Sequence, residues 1–242
     1  METLLQLEMD DIYVVGDLHG KWSKFNQWLQ KKNPQVVFQV GDFGYWPKCD
    51  GTYDIKLLQG TRTREKRVLF RQCGIKNPNT TIYWTKGNHE DHERILIMED
   101  HEICPGVIYM PFGSVIQLLD GRNVLFVGGA ATHNPGAYQR GIDVFPALET
   151  SKLCDLSLLP DMKVDIVISH TCPKRWIGNM VRHNYVPDET IDVLDRVLFK
   201  HQPSLWYFGH FHEYKTGFDS DTNTRWTALG MLGQTGWFKK LI

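Results

Sequence analysis

The sequence contains no apolar stretch that approaches the roughly 20 residues of a transmembrane helix, which argues against a membrane-spanning protein. Its first residues lack the basic start of a secretory signal and soon reach Glu8, Asp10 and Asp11. The five cysteines are odd in number, widely spread and contain no C-x-x-C pair, which argues for a reducing compartment and against a structural zinc site. We therefore expect a cytoplasmic protein with no membrane association.

The chain also lacks an excess of charge of either sign. Its 27 basic and 28 acidic side chains give a formal charge of −1, so there is no global attraction to nucleic acid or membranes. One basic cluster indicates either a solvated helix face or a rim that steers a polyanion: Arg62, Arg64, Lys66, Arg67 and Arg71. No linker, repeat or low-complexity tract interrupts the 242 residues, which favours one domain over residues 1–242. No feature of the sequence points to a protein partner.

What the sequence does contain is five short blocks that end in side chains able to bind metals. They are GDLHG at residues 16–20, GD at 41–42, GNHE at 87–90, SH at 169–170 and GHFH at 209–212. At least four of them follow an apolar, β-branched or aromatic run typical of a buried strand, and residues 81–84 form a weaker fifth run. Strand ends in an open sheet gather on one rim, so these distant blocks can converge on a single site.

The residue types in these blocks indicate metal chemistry. Carboxylate oxygens, amide oxygens and neutral imidazoles are ligands for hard or borderline divalent metals. Asp17 and His19 are two residues apart, so both can face one ion just past a strand end. His210 and His212 repeat that spacing. Asp42 stands alone, as expected of a carboxylate that bridges two ions about 3.5–4 Å apart, and such a pair clamps a phosphoryl group and generates hydroxide near neutral pH.

The order of the blocks resembles that of the calcineurin-like metallophosphoesterase superfamily, with all five motif blocks matched between Asp11 and Tyr214. The resemblance implies a four-layer αββα fold, in which two packed mixed sheets are flanked by helices. It implies one metal held by Asp17, His19 and His212, another held by Asn88, His170 and His210, and Asp42 bridging both. It also implies that His89 contacts phosphate and acts as the general acid. The oxygen-rich set suits Mn²⁺, with Fe or Zn²⁺ as alternatives.

The second block departs from the Ser/Thr protein-phosphatase branch, which continues it as GDxxDRG. Residues 41–47 read GDFGYWP, so the Asp that orients the catalytic histidine and the Arg that grips phosphate are both missing. Protein phosphatase is therefore the less favoured branch. The aromatic residues Phe43, Tyr45 and Trp46 indicate either stacking surface near the substrate or ordinary packing of the loop on the domain.

Residues 127–130 (VGGA), after a further buried strand predicted at 125–127, resemble a Gly-Gly-Ala segment of small bacterial and viral members of the superfamily. The loop beyond this segment could project polar and basic side chains toward substrate, and a basic pair follows the fourth block closely. With one aromatic residue of the second block, these are the predicted substrate contacts: His133, Asn134, Arg140, Lys174, Arg175 and Trp46. Trp176, next to the basic pair, is a further candidate for stacking a base.

Between the blocks, apolar residues at helical spacing predict two amphipathic helices. Their stripes are Trp22, Phe25, Trp28 and Leu29, and Ile191, Leu194, Val197 and Leu198. Strands that alternate with such helices support an α/β layered fold.

These observations predict a phosphoesterase that uses two divalent metal ions to hydrolyse phosphate mono- or diesters of nucleotides or nucleic-acid ends. Two alternatives stay open. The first is a Ser/Thr protein phosphatase. The second is a non-catalytic scaffold on the same fold, which would be free to lose metal ligands that are all present here.

Overall fold

The structure is a computed structural model that describes residues 11–45, 75, 79–132, 146–150, 156–180 and 189–241. Four of the predicted substrate contacts (Trp46, His133, Asn134 and Arg140) and the basic cluster at residues 62–71 lie outside these ranges. Among the described helices, none is long and apolar enough to cross a membrane.

The described residues form twelve strands: β1 (Ile12–Val15), β2 (Val36–Gln39), β3 (Thr81–Trp84), β4 (Glu102–Cys104), β5 (Val107–Tyr109), β6 (Val115–Gln117), β7 (Asn123–Val127), β8 (Ile166–Ser169), β9 (Leu205–Phe208), β10 (Lys215–Asp219), β11 (Thr224–Ala228) and β12 (Phe238–Lys240). The α-helices in the same part of the chain are α1 (Trp22–Lys32), α2 (His92–Leu96), α3 (Pro146–Glu149), α4 (Ile177–Met180) and α5 (Glu189–His201). Two 3-10 turns span Leu156–Leu158 and Lys174–Trp176.

The strands form two six-stranded mixed sheets with the same plan. The first sheet has the order β12-β1-β2-β3-β5-β4, and the second has the order β10-β11-β9-β8-β7-β6. In each sheet the four central strands are parallel and the two edge strands are antiparallel to their neighbours. Parallel strands are normally covered on both faces, so this plan requires a further layer on the outside of each sheet.

Three buried clusters show that both faces of each sheet are covered. Alternate side chains such as Phe38 of β2 and Ile168 of β8 meet in a core between the two sheets. Val37, the neighbour of Phe38, faces the opposite way and packs in a cluster with Phe25 of α1. In the second sheet, Val167 packs on the outer side in a cluster that includes α5. The layers are therefore helix, sheet, sheet, helix, and the predicted αββα fold is confirmed.

The two predicted amphipathic stripes are confirmed as the buried faces of α1 and α5. The predicted strand runs also form strands, with bounds that shift by one or two residues at residues 36–40 and 164–168. All five motif blocks begin at, or one to three residues after, the carboxyl ends of parallel strands, three in the first sheet and two in the second. A site at this edge draws its side chains from both sheets.

Candidate metal centre

The seven predicted metal ligands come together at the carboxyl edge of the paired sheets. Six of them are buried, with exposed fractions of 9% or less, and the His212 side chain is 34% exposed. Their side chains form two groups around a shared carboxylate. We call Asp17, His19 and His212 the first ligand set, and Asn88, His170 and His210 the second ligand set.

The first ligand set brings one carboxylate and two imidazoles together. His212 Nε2 lies 3.0 Å from Asp17 Oδ2 and 2.9 Å from His19 Nε2. His19 Nε2 also lies 3.4 Å from Asp42 Oδ2. The ligand atoms of these four residues all lie within 4.8 Å of one another, a separation at which one ion can contact them all.

The second ligand set is built around the amide oxygen of Asn88. This Oδ1 atom lies 3.2 Å from His170 Nε2 and 3.1 Å from His210 Nδ1. His170 Nε2 is also 3.4 Å from Asp42 Oδ1. Asp42 therefore directs one carboxylate oxygen to each ligand set, which is the placement predicted for a bridging ligand.

The distances within both sets fit divalent ions. Metal bonds to imidazole nitrogen and carboxylate oxygen are about 2.0–2.2 Å long, so two ligands at right angles lie about 3 Å apart.

The hydrogen-bonding pattern of the second ligand set also fits a bound cation. Val40 O can only accept a hydrogen bond, so His170 Nδ1 donates to it, over 3.0 Å, and Nε2 presents a lone pair to the oxygens of Asn88 and Asp42. Three acceptors that face one another repel unless a cation lies between them.

Burial lowers the pKa of His170 below its usual value, although the nearby Asp17 and Glu90 charges act in the opposite direction. The ring is therefore neutral near pH 7, as metal ligation requires. For Asp17, burial acts to raise the pKa of the carboxyl, but the hydrogen bond from His212 and the neighbouring histidines outweigh burial and lower it. Both groups are thus in the protonation state that binds a cation.

The backbone around the site is unusual, because four of the seven ligands have left-handed conformations. The φ angles are +46° at His19, +52° at Asp42, +69° at His210 and +54° at His212. Such angles are uncommon outside glycine and cluster at functional sites. Each of these loops therefore turns sharply at the ligand itself.

Two glycines allow the ligand loops to approach one another closely. A Cβ atom on Gly87 would overlap the carboxylate of Asp42, and one on Gly209 would overlap the carboxylate of Asp17. Any larger residue at these positions would push the blocks apart. The glycine at the start of a block is therefore needed for contact with the carboxylate of a different block.

Asp42 also organises the backbone around the two ligand sets. Its carbonyl oxygen accepts hydrogen bonds from the amides of Leu18 and His19, at 3.0 and 2.8 Å. Its Oδ1 atom accepts from the amides of Asn88 and His89, also at 3.0 and 2.8 Å. One residue therefore joins the first and third blocks, and this explains why a short Gly-Asp pair occupies the centre of the site.

His89, the predicted general acid, lies beside the ligands without belonging to either set. Its ring centroid is 5.4 Å from that of His19, and the residue is only partly buried. The backbone amide of His89 is fixed by Asp42. His89 therefore lies next to the first ligand set and keeps part of its surface accessible to solvent.

Four further residues around the ligands were not assigned a role from the sequence. Thr132 Oγ1 accepts a hydrogen bond from the Asn88 side chain, and the Thr132 amide donates to Glu149 of α3. Gln39 and Glu90 bind the backbone of neighbouring blocks. Thr132 follows the Gly-Gly-Ala segment and Glu90 ends the GNHE block, so both lie within segments that the sequence had marked, but hydrogen-bond partners far along the chain leave no local pattern.

The aromatic residues of the second block are divided between core and surface. Phe43 is fully buried and stacks on Trp84, with ring centroids 4.9 Å apart, so the packing interpretation is correct for this residue and it does not border a substrate entrance. Tyr45 is partly buried against the same tryptophan at 5.5 Å. Trp176 is 3% exposed and its indole N–H donates to Asp219, so it is a core residue and not a stacking surface for a base.

The basic pair after the fourth block is engaged with acidic side chains. Lys174 pairs with Asp192 at 2.8 Å. Arg175 pairs with Asp219, the last residue of β10, and with Asp221 in the turn between β10 and β11. Since β11 runs parallel to β9, this turn lies at the end of the second sheet opposite to the metal ligands. The structure thus does not bring the Arg175 guanidinium together with the site, and its predicted substrate contact has no geometric support.

Buried carboxylates and histidines at the shared edge of two sheets define a metal-binding α/β sandwich. The chain belongs to the calcineurin-like phosphoesterase family, whose model matches residues 11–214. Membership of this family identifies a metal-dependent phosphoric ester hydrolase, so the scaffold alternative is set aside. No curated protein matches the chain significantly.

Solved structures with a similar fold include the phosphopantetheinyl hydrolase PptH of Mycobacterium tuberculosis. It is 12% identical with a TM-score of 0.49, and the match covers 96% of this chain and 95% of that one. GAP50, the anchor in the inner membrane complex of Plasmodium, is 10% identical with a TM-score of 0.45, and the match covers 90% of this chain and 70% of that one. Similarities at this level do not bear on what the present chain hydrolyses.

Proposed function

We propose that the protein is a phosphoesterase with two divalent metal ions, held by the first and second ligand sets and bridged by Asp42. The observation that carries this proposal is the position of the Asp42 carboxylate. One of its oxygens is 3.4 Å from His19 of the first set, and the other is 3.4 Å from His170 of the second. A single carboxylate shared in this way supports two adjacent ions and not one.

A bound pair of divalent ions supplies Lewis acidity for a phosphoryl group and a nucleophile near neutral pH. The ligands are three oxygen-bearing side chains and four imidazoles, a mixture that suits Mn²⁺, with Fe or Zn²⁺ as the alternatives. Asp17 and Asp42 contribute two negative charges and the imidazoles are neutral, so the protein leaves part of the charge of two ions to be balanced by an anionic phosphate.

His89 completes the site as the general acid. Its ring lies beside His19 and the residue is only partly buried, while its backbone amide is held by Asp42. In this position it donates a proton to the oxygen that leaves phosphorus, which an alkoxide requires at neutral pH. Residues 41–47 lack the further Asp of the GDxxDRG pattern that would orient this ring.

The substrate we propose is a phosphate mono- or diester of a nucleotide or of a nucleic-acid end. The support is the second block, which lacks the Arg that grips phosphate in protein phosphatases and instead has Tyr45 and Trp46 after the bridging Asp42. An aromatic ring that stacks a base contributes roughly 1–3 kcal/mol, which biases selection by about 5- to 150-fold. With Phe43 buried in the core, this proposal rests on the two remaining aromatic residues.

A metal-supplemented activity screen tests the proposal. The Mn²⁺-loaded protein is assayed against nucleoside monophosphates, an oligonucleotide with a 3′ or 5′ phosphate, bis(p-nitrophenyl) phosphate and phosphoserine peptides. We expect kcat/KM to be higher for the nucleotide or oligonucleotide esters than for the peptides. A higher value for the peptides would overturn the substrate proposal and restore the protein-phosphatase alternative. Fewer than two bound Mn²⁺ ions per chain by elemental analysis would contradict the two-metal site.

A further inference from the structure

Gln39 is a buried polar side chain that joins the first and second blocks. It ends strand β2 and has no exposed surface. Its side-chain NH₂ group donates to the carbonyl oxygens of Gly16, at 3.3 Å, and Gly41, at 2.6 Å. Its Oε1 atom accepts from the Gly41 amide at 3.0 Å. One amide thus holds the residues that directly precede Asp17 and Asp42.

Glu90 has the same role between the second and third blocks. It is also fully buried. One carboxylate oxygen accepts from the amide of Gly44 at 2.9 Å, and the other accepts from the amide of Gly87 at 2.6 Å. Gly44 lies two residues after Asp42, and Gly87 directly precedes Asn88. The loop that carries Asp42 (residues 41–44) is therefore joined at one end to the Gly16 loop through Gln39 and at the other end to the Gly87 loop through Glu90.

Packing does not explain why these two positions are polar. Gln39 is two residues from Val37 and lies on the same outer face of β2, where the surrounding cluster is apolar. Burying an amide or a carboxylate is unfavourable unless its hydrogen bonds are satisfied, and an apolar residue would fill the same space without this cost. The polar groups instead hold together backbone segments that are distant along the chain. Gln39 binds Gly16, 23 residues away, and Glu90 binds Gly44, 46 residues away.

We propose that Gln39 and Glu90 are positioning residues that set the spacing of the Asp17, Asp42 and Asn88 loops and thereby allow two ions to bind side by side. This inference rests on the two-metal site proposed above. Neither residue contacts an ion in this arrangement. Both act through the backbone, because functional groups must be held within about 0.5 Å of their productive positions.

The experiment compares Gln39→Leu and Glu90→Gln with the unaltered protein. Gln39→Leu removes every hydrogen bond of the side chain, and Glu90→Gln places an NH₂ group against one of the two backbone amides. The matched control is Asn123→Leu, which removes a buried amide that donates to Lys163 O at the opposite end of the second sheet. Gln39→Glu, which keeps the acceptor for Gly41 and loses the donors, is the second variant if Gln39→Leu does not fold.

The first measurement is amide hydrogen exchange in the metal-free proteins. We expect Gln39→Leu to accelerate exchange at Gly41, and Glu90→Gln to accelerate it at Gly44 and Gly87, each without the other. The control should change none of these three amides selectively. This measurement is independent of the ions, so it tests the hydrogen bonds even if the proposed function is wrong.

The second measurement is Mn²⁺ binding, followed by calorimetry and by the electron paramagnetic resonance signal of spin-coupled ion pairs. Both variants should bind at least one ion about 10- to 100-fold more weakly, the range expected for partners that orient metal ligands. The coupled signal should appear only at higher Mn²⁺, and kcat should recover there with KM unchanged. The control should lose thermal stability while keeping the affinity and the coupled signal of the unaltered protein.

Two results would overturn the proposal. One is faster exchange at the glycine amides with unchanged Mn²⁺ affinity and an unchanged coupled signal, which would make Gln39 and Glu90 ordinary structural residues. The other is an equal loss of affinity in Asn123→Leu, which would reduce the effect to general instability. If the unaltered protein itself binds no spin-coupled pair of Mn²⁺ ions, the proposed function fails and the positioning role fails with it. If the unaltered protein binds the pair and both variants bind it equally well, only the positioning role is refuted.

Discussion

The first and second ligand sets differ in charge and in burial. The first set has a carboxylate of its own, Asp17, and its most exposed member is His212, with 34% of the side chain accessible. The second set has no carboxylate apart from the shared Asp42, and its three members are almost fully buried. Two of its side chains are instead held in place by hydrogen bonds to other residues, since His170 donates to Val40 O and Asn88 donates to Thr132 Oγ1. The negative charge of Asp17 favours cation binding by the first set. The hydrogen bonds that hold His170 and Asn88 in place favour cation binding by the second set.

The largest expected effect comes from the residue that the two sets share. Asp42→Asn removes the bridging charge, so both ions should be lost or weakened together and the difference between the sets should disappear. Loss of a general acid typically lowers the rate by about 10²–10⁴-fold, and we expect kcat/KM of Asp42→Asn to fall at least as much. Elemental analysis after Mn²⁺ loading checks the ion content. The matched control is Asp165→Asn, which removes a buried charge at the far end of the second sheet, and an Asp42→Asn protein that retains two ions and near-normal activity would contradict the bridge.

The next effect concerns His89, which belongs to neither set. His89→Ala should retain both ions and lose about 10²–10⁴-fold in kcat for an alkyl phosphate ester, because the leaving oxygen then receives no proton. The loss should be smaller for a p-nitrophenyl ester, whose leaving group needs no proton. Parallel assays of the two esters make the comparison. An equal loss on both would show that His89 mainly positions phosphate.

A smaller change should separate the two sets. Thr132→Val removes the hydroxyl that accepts from Asn88, so it should weaken the ion of the second set alone by about 10- to 100-fold. Titration with Mn²⁺ should then show one normal and one weakened binding step. Thr224→Val is the control, because it removes a buried hydroxyl at the opposite end of the sheet. Two equally weakened steps would mean that the sets do not act independently.

Metal removal tests the difference in exposure without any substitution. When the Mn²⁺-loaded protein is mixed with excess EDTA, the ion of the open first set should leave before the ion of the buried second set. We expect release in two kinetic phases, and His212→Ala should remove the faster one. Release of both ions in a single phase would show that burial of the second set does not slow exchange.

The smallest effect is expected at Phe43. Because this ring is buried against Trp84, Phe43→Leu should lower the free energy of unfolding by about 1.5 kcal/mol or less. The ratio of kcat/KM for nucleotide and peptide substrates should not change. Urea unfolding and the substrate screen give the two quantities. A changed ratio would return Phe43 to the substrate entrance.

The strands and the converging ligands were accessible from the sequence for one physical reason. A buried parallel strand is mostly apolar, so a metal-capable residue shortly after it is conspicuous. The common direction of parallel strands brings such residues to one edge. The same argument holds for α1 and α5, where spacing alone identifies the buried face. The spacing of apolar residues shows which side of a helix or strand is buried, even when the element that packs against it is not known.

Side-chain partners across the fold were not accessible in this way. Arg175 is near His170 in sequence, yet its guanidinium pairs with Asp219 and Asp221 at the other end of the sheet, because a long side chain can reach either way from its backbone. Gln39 and Glu90 bind backbone groups, which every residue has, so their partners leave no signature. Phe43 follows a ligand directly and nevertheless faces the core. In each case the deciding contact is set by the tertiary structure.

The left-handed conformations of four ligands have a consequence for the evolution and engineering of this site. An L-residue in this region costs roughly 1–2 kcal/mol, so His19, Asp42, His210 and His212 together make the metal-free fold less stable than its core would allow. Stability and function therefore compete at these positions. His212→Gly and His212→Ala both abolish a ligand, but only glycine relieves the backbone, so selection for thermostability alone would replace these ligands by glycine and erase the site.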